Sequence, residues 1–199
     1  MIDAGIQVGV VYPQIELGGE ADAVRAIGDA IEAQGYRHLV AYDHVLGAEQ
    51  ADRQPELTGP YDENDPFHDP FVLFAYLAGR SDTLEFASGV LILPQRQTAL
   101  VAKQAADLAV LSGNRLRLGV GVGWNWVEYE ALGEDFATRG QRANEQIELL
   151  RRYWTEPTVS FAGRFDRVAR AGIVPRPSVP PPVWVGGFGA ASLRRAVRL

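Results

Sequence analysis

The chain has 199 residues, a net charge of -6 and 47% hydrophobic side chains, the composition of a globular domain with room for one full core. No apolar run approaches the ~18 residues of a membrane span, and Met1–Gly5 shows no basic patch leading into an apolar stretch, so neither a membrane partner nor a leader is expected. The absence of cysteine excludes disulfides and thiolate chemistry and fits a cytoplasmic protein.

Ile6–Val11 is a short apolar run closed by Pro13 and reads as a first buried strand. A helix is predicted from about Glu20 to Gln34, with Val24, Ile27 and Ile31 on one face and Gly35 ending it. His38–Ala41 is a second strand running into Tyr42-Asp43-His44, and residues 45–68, rich in Asp, Glu, Gly and Pro, form a loop. Asp69-Pro70 supplies an N-cap and a first-turn proline for a helix to about Gly79. Leu84–Leu93 is a third, strongly apolar strand. Thr98 is expected to cap the next helix, with Val101, Ala105, Leu108 and Leu111 on its buried face. After the Gly113-Asn114 turn come a fourth strand at Leu116–Val120, a glycine-rich turn over 121–123 and a short helix at Asn125–Leu132. Thr138 is expected to cap a longer helix carrying Ala143, Ile147, Leu150 and Trp154. Val159–Phe161 and Phe165–Val168 read as a hairpin, Pro175–Pro182 as a stiff connector, Val183–Gly187 as a last strand, and a helix begins at Ala190.

Strands alternating with amphipathic helices, and apolar on both faces, mean βα units around a parallel sheet in one domain spanning 1–199. An open doubly wound sheet and a closed barrel both satisfy that pattern. Long segments after strands against short returns favour the barrel, whose chemistry gathers at strand C-termini.

Four strand ends can be read: Tyr12-Pro13-Gln14, Asp43-His44, Pro94-Gln95-Arg96, and Gly121–Asn125. Asp43-His44 is the most suggestive, because histidine exchanges protons near neutral pH and a carboxylate beside it is placed to orient the ring. A solvent-facing loop histidine is the alternative. His38 reads as a packed or edge residue and His68 as either a helix-entry residue or one lining the pocket mouth; the three histidines have no metal-ligand spacing, so no metal is expected. Gly119–Gly123 lacks the spacing and downstream acid of a dinucleotide fingerprint. Its glycines Gly121 and Gly123 serve either close approach of a flat ring or tight packing. Gly186-Gly187-Phe188-Gly189 joins a strand directly to a helix N-terminus, which reads as an anion seat or as a plain glycine-rich connection.

Charge is unevenly spread. Residues 1–150 hold 10 basic and 23 acidic side chains, a net of -13, whereas residues 151–199 hold 9 Arg against Glu156 and Asp166, a net of +7. The basic segment is read either as a face packed on or solvated beside the acidic part, or as a local site for an anionic ligand. An acidic whole without a nucleic-acid-binding motif makes nucleic acid an unexpected partner.

Several stretches, in order, resemble the luciferase-like flavin or deazaflavin oxidoreductases. They are Ala41–Ala48, Asp65–Phe71, Ser88–Arg96, Lys103–Ala106, Leu111–Leu116, Gly119–Asn125 and Trp184–Gly187, and the wording is similar to the subgroup assigned to coenzyme F420. The resemblance implies a parallel (β/α)8 TIM-type barrel with the cofactor ring, F420 or alternatively FMN, on the C-terminal face. It places His44 beside the ring for proton transfer or substrate orientation, with Asp43 neighbouring it. It maps a non-proline cis peptide to Gly89-Val90 behind the ring, and phosphate donors to Gly186, Gly187 and Gly189. The arginine-rich tail would then neutralise phosphate or a polyglutamate tail. The implied reaction is hydride transfer to, or oxygenation of, an unidentified small organic substrate, and homodimers occur in the family.

Two departures are visible. Sugar-phosphate-oxidising relatives carry an acid where this chain has Trp124, which disfavours that substrate class. The family barrel usually needs about 250 residues, and only five of eight barrel strands can be read here. Incompleteness at the C-terminus is therefore expected: a fragment, a truncated reading frame, or a subunit completed by another chain. That keeps a second expectation open, a non-catalytic truncated flavin-binding barrel protein.

Overall fold

The structure is a computed structural model and describes residues 6–199, so the leader reading at Met1–Gly5 lies outside the described residues. In chain order the elements are β1 (Gly9–Val11), α1 (Ala21–Ala33), β2 (His38–Ala41), α2 (Pro70–Ala78), β3 (Glu85–Ser88), β4 (Leu91–Ile92), α3 (Thr98–Leu111) and β5 (Leu116–Gly121). There follow α4 (Trp126–Ala131), α5 (Arg139–Thr155), β6 (Val159–Ala162), β7 (Arg167–Ala171), β8 (Val183–Val185) and α6 (Ala190–Arg198).

β1, β2, β3, β5 and β8 pair in parallel in that order, with Val10 opposite Leu39, Leu39 opposite Phe86, Phe86 opposite Leu116 and Leu118 opposite Val183. The order never reverses, as it would at the switch point of a doubly wound sheet. This settles the choice left open by the alternation: the sheet is a parallel β/α barrel wall of five strand positions, and the barrel is not closed. β6 and β7 form a separate antiparallel pair.

One face of the sheet meets the helices. Phe86 packs on Phe74 of α2 with ring centroids 5.4 Å apart, and Leu39, Leu116 and Leu118 are buried in the same cluster. Alternate positions face the barrel interior. There Arg117 pairs with Glu85 and lies over the Trp184 ring at 5.3 Å.

The predicted third strand is two pieces. β3 and β4 both pair with β5, and the chain breaks between them at Gly89-Val90, whose peptide is cis. The break throws the Val90 side chain over the neighbouring strands. A Cβ on Gly121 would lie 2.3 Å from Val90 Cγ2, and one on Gly186 would lie 2.5 Å from Val90 Cγ1. A Cβ on Gly119 would meet the Ser88 carbonyl oxygen at 2.0 Å. Close packing against the bulged strand thus accounts for these glycines. Because backbone cannot retreat as a flexible side chain can, Gly119→Ala is expected to destabilise the chain by about 1–3 kcal/mol. Urea unfolding measures it; an unchanged midpoint would show that the third strand can shift freely.

Several local expectations need correction. The first strand begins at Gly9, not Ile6. Leu111, the last residue of α3, is exposed rather than on its buried face. Thr98 does not cap α3: it is the first helical residue, and its hydroxyl donates to Asp166 Oδ2 at 2.8 Å. Thr138 is the N-cap residue of α5 but makes no side-chain cap bond, since its hydroxyl donates to the Asp135 carbonyl at 3.0 Å. The second hairpin strand lies at 167–171 rather than 165–168, because Glu145 of α5 accepts the backbone N–H groups of Arg164, Phe165 and Asp166 and holds them as a turn. Asp69 caps α2 as expected, accepting from the N–H groups of Phe71 and Val72 at 2.9 and 3.2 Å.

Candidate active site

β2 delivers Asp43 and His44 to the C-terminal face, and the two side chains part there. Asp43 turns inward and is buried. Its Oδ2 accepts the Ile92 N–H at 2.8 Å and Arg96 Nε at 3.3 Å, while Oδ1 accepts Arg96 Nη2 at 2.6 Å. Arg96 also reaches Asp69 at 2.9 Å, so one guanidinium ties the ends of β2 and β4 to the cap of α2. Burial pushes the Asp43 carboxyl above the usual carboxylate range, and Arg96 and the Ile92 N–H pull it back. Arg96, although burial lowers it, is held above its ordinary value by Asp43 and Asp69. Three donors on one carboxylate stabilise its charged form.

Asp43 therefore does not orient His44. Glu128 does. His44 Nδ1 lies 3.1 Å from Glu128 Oε2, and Glu128 Oε1 accepts the Val45 N–H at 2.7 Å and the Leu46 N–H at 3.3 Å. Glu128 is 1% exposed, on α4, a helix started by Asn125, whose Oδ1 accepts the Val127 N–H at 3.1 Å. An ionised carboxylate only accepts, so this contact assigns the proton of neutral His44 to Nδ1 and leaves Nε2 as the basic nitrogen.

Tyr61, Phe67 and Trp124 surround the His44 ring edge-on, with centroids 5.4, 4.8 and 5.7 Å away. The long segment after β2 thus folds back over the histidine, whose side chain is 9% exposed. Beside it a cleft of about 260 Å³ opens between the ends of β1 and β2, lined by Tyr12, Gln14, Tyr42, Tyr61 and Phe67. Gln14 Oε1 accepts the Tyr42 N–H at 2.6 Å, which leaves its Nε2 buried without a partner; the Tyr12 hydroxyl is also buried and unpartnered. Burial raises the Tyr12 and Tyr61 hydroxyl pKa values, keeping both groups protonated as donors. Buried donors without acceptors are rare in folded proteins and mark a place for a ligand or water.

The glycines divide into two sets. Gly89 faces Val40 and Tyr42, and Gly121 and Gly186 lie under Val90. Gly123 has φ +62 and abuts Ile92. Gly186 already donates its N–H to the Val120 carbonyl at 2.8 Å, which leaves the backbone donation expected there to Gly187 and Gly189. Gly187 has φ +133, and Gly189 is the N-cap residue of α6. His38 covers Gly9, and among the described residues no group of acids and histidines is placed to hold a metal.

Sequence reasoning missed Glu128. The signal was present as Asn125-x-x-Glu128, the spacing in which a cap residue and a third-position acid serve a helix start. Here only Asn125 caps, and the acid is sent across the face to the β2 loop.

Parallel strands each followed by a helix, with a buried acid–histidine pair and unpartnered donors at the strand C-termini, are the arrangement of a β/α-barrel protein. The chain belongs to the luciferase-like monooxygenase family, whose model matches residues 4–199. It is 40% identical over 177 residues to an uncharacterised Mycobacterium tuberculosis protein, covering 86% of this chain and 61% of that one. It is 33% identical over 183 residues to an F420-dependent glucose-6-phosphate dehydrogenase of Segniliparus rotundus (85% and 48%). It is 29% identical over 167 residues to an FMNH(2)-dependent dimethylsulfone monooxygenase of Pseudomonas fluorescens (82% and 45%). In structure it is similar to an F420-dependent secondary alcohol dehydrogenase, with a TM-score of 0.74 at 18% identity over 96% of this chain and 55% of that one. The chain thus spans about half the length of the curated relatives it matches, up to 61%.

Proposed function

We propose that this chain carries the cofactor face of an F420-dependent oxidoreductase acting on a small organic substrate, with FMN as the alternative cofactor. The observation that carries this reading is the His44–Glu128 pair, which presents a basic Nε2 on the ligand face of a fold shared with F420- and FMN-dependent relatives. The cleft chemistry fits such a group, because Gln14 Nε2 and the Tyr12 hydroxyl offer donors to the carbonyl edge of a flat heteroaromatic ring. At about 260 Å³ the cleft is smaller than the roughly 300–1,000 Å³ usual for ligand pockets, so it suits the ring edge rather than the whole molecule. Gly187 and Gly189, at the start of α6, would hold the phosphate.

When bound, the cofactor supplies the hydride or, for FMN, the route to dioxygen. The chain's part is positional and protonic. Glu128 keeps Nδ1 protonated and Nε2 free, and Nε2 accepts or returns the proton that accompanies hydride transfer. Tyr61, Phe67 and Trp124 pack edge-on around the His44 ring and form the apolar walls beside that nitrogen. The same reading takes a small-molecule substrate, a cytoplasmic setting and a homodimer. No helix among the described residues is long and apolar enough to cross a membrane.

Titration with F420 and with FMN, followed by absorbance and fluorescence, is expected to give tighter binding of F420. His44→Ala is expected to keep that binding and to lose about 10²–10⁴-fold in turnover, the usual contribution of one proton-transfer group. Tight FMN binding with no F420 binding would reject the cofactor choice, and a His44→Ala variant with normal turnover would reject the role of the histidine. The alternative reading is a cofactor-binding barrel protein without turnover. Sustained turnover with any reductant and acceptor pair would exclude it.

A further inference from the structure

The basic segment does not pack its charges onto the acidic part of the chain. Of the nine arginines in 151–199, only Arg152 forms an ion pair among the described residues, with Glu156 one turn away. Three others gather where α6 lies along the first half of α5. Between the two helices is a groove of about 410 Å³, walled by Gly140, Gln141 and Asn144 from α5 and by Arg194, Arg195 and Arg198 from α6. That volume is within the range of small-ligand sites, roughly 300–1,000 Å³.

Arg195 is the unusual member, because it is only 8% exposed. Its Nε donates to Asn144 Oδ1 at 2.7 Å and its Nη2 to the Gly140 carbonyl at 3.0 Å. Both acceptors are neutral, so the guanidinium is oriented but its charge is not matched. Burial and the nearby Arg198 depress its pKa, the direction expected of a cation lacking a counter-charge. Gln141, on the groove wall, accepts from Arg164 Nη1 through Oε1 at 2.6 Å. Among the described residues no carboxylate lines the walls. A buried cation without an anion is costly and is normally paired. Here the geometry fixes the guanidinium on neutral acceptors, with no anionic partner among the described residues.

We propose that the α5–α6 groove binds a small polyanion bearing phosphate or clustered carboxylates. The site is separate from the His44 cleft, with which its walls share no residue. Arg195 is the fixed anchor, and Arg194 and Arg198, both exposed, close on the ligand from the rim. Because groove and cleft are distinct, this proposal stands or falls independently of the oxidoreductase reading.

Calorimetric titration of the cofactor-free chain with pyrophosphate, and separately with citrate, in phosphate-free buffer tests it and shows which oxyanion is preferred. Saturable binding to at least one probe is expected. Arg194→Gln and Arg198→Gln should each weaken it on the order of tenfold, Arg195→Gln should abolish it, and Arg151→Gln, outside the groove, should leave it unchanged. A purely structural Arg195 would behave differently. If the arginine serves only the fold, Arg195→Gln lowers the melting temperature in anion-free buffer. If it awaits an anion, the variant melts at or above the wild-type temperature there and loses only the rise that the bound anion produces. Absence of saturable binding to both probes, wild-type affinity in Arg195→Gln, or displacement of the anion by bound F420 or FMN would overturn the proposal.

Discussion

Glu128→Gln is expected to move the proton of neutral His44 from Nδ1 to Nε2, and to lower turnover by about 10²–10⁴-fold while leaving cofactor binding intact. The amide has the shape of the carboxylate it replaces, so its oxygen can still accept the Val45 N–H that Glu128 Oε1 now takes at 2.7 Å. The other amide position then becomes a donor facing His44 Nδ1, where the wild type has an acceptor at 3.1 Å. Two donors cannot share one hydrogen bond, so Nδ1 must give up its proton, and Nε2, the nitrogen free to act as a base, becomes protonated. Nitrogen chemical shifts of the imidazole read the tautomer without any substrate. A His44 that keeps the Nδ1–H form in the variant would refute the assignment. Glu128→Ala is a different experiment. It strips the acceptor from two backbone N–H groups as well, and it should loosen the Val45–Leu46 corner in hydrogen exchange.

Arg96→Ala should be among the most destabilising single changes in the chain, costing about 3–5 kcal/mol by urea unfolding, because it leaves the buried Asp43 carboxylate without its counter-charge. The loss extends beyond one pair. Arg96 forks onto Asp43 and also meets Asp69, joining the ends of β2 and β4 to the cap of α2. In an Arg96→Ala background, Asp43→Ala should cost much less than it does alone, since the charge it removes is then a liability. A cost for Arg96→Ala under about 1 kcal/mol, the behaviour of exposed pairs, would show that water reaches the bridge. Because the bridge sets where β2 ends, Arg96→Ala is also expected to disturb the aromatic surroundings of His44, seen as altered tyrosine and tryptophan fluorescence.

These two expectations separate residues that look alike in sequence. Asp43 and His44 are neighbours at a strand end, and adjacency suggested a working pair. A residue leaving a strand sends its side chain to the side opposite its neighbour's, so Asp43 went inward to Arg96 while His44 went to the face. The carboxylate that does reach His44 is 84 positions away on α4. Nothing in local periodicity reports a contact of that separation; only the Asn125-x-x-Glu128 spacing hinted at it. The glycines teach the same point. A run at 119–123 is consistent with a ring lying on the backbone or with a crowded strand, and the Val90 side chain over Gly121 decides for crowding there. Gly186 belongs with it, whereas Gly187 and Gly189 stay available as donors.

The chain's own order of residues determined the alternation of parallel strands and helices, the cap at Asp69-Pro70, the strand end at Asp43-His44 and the concentration of arginine after residue 150. Those features depend on side-chain period, backbone freedom and composition, which are local. Tertiary structure alone decided that Arg96 holds Asp43, that Glu128 holds His44, and that Arg195 is buried against neutral acceptors. Each of these is a matter of which distant groups share a desolvated space. Charge pairing and burial are properties of that space, so a strand-end histidine acquires its role only when the helix carrying its acid is folded against it.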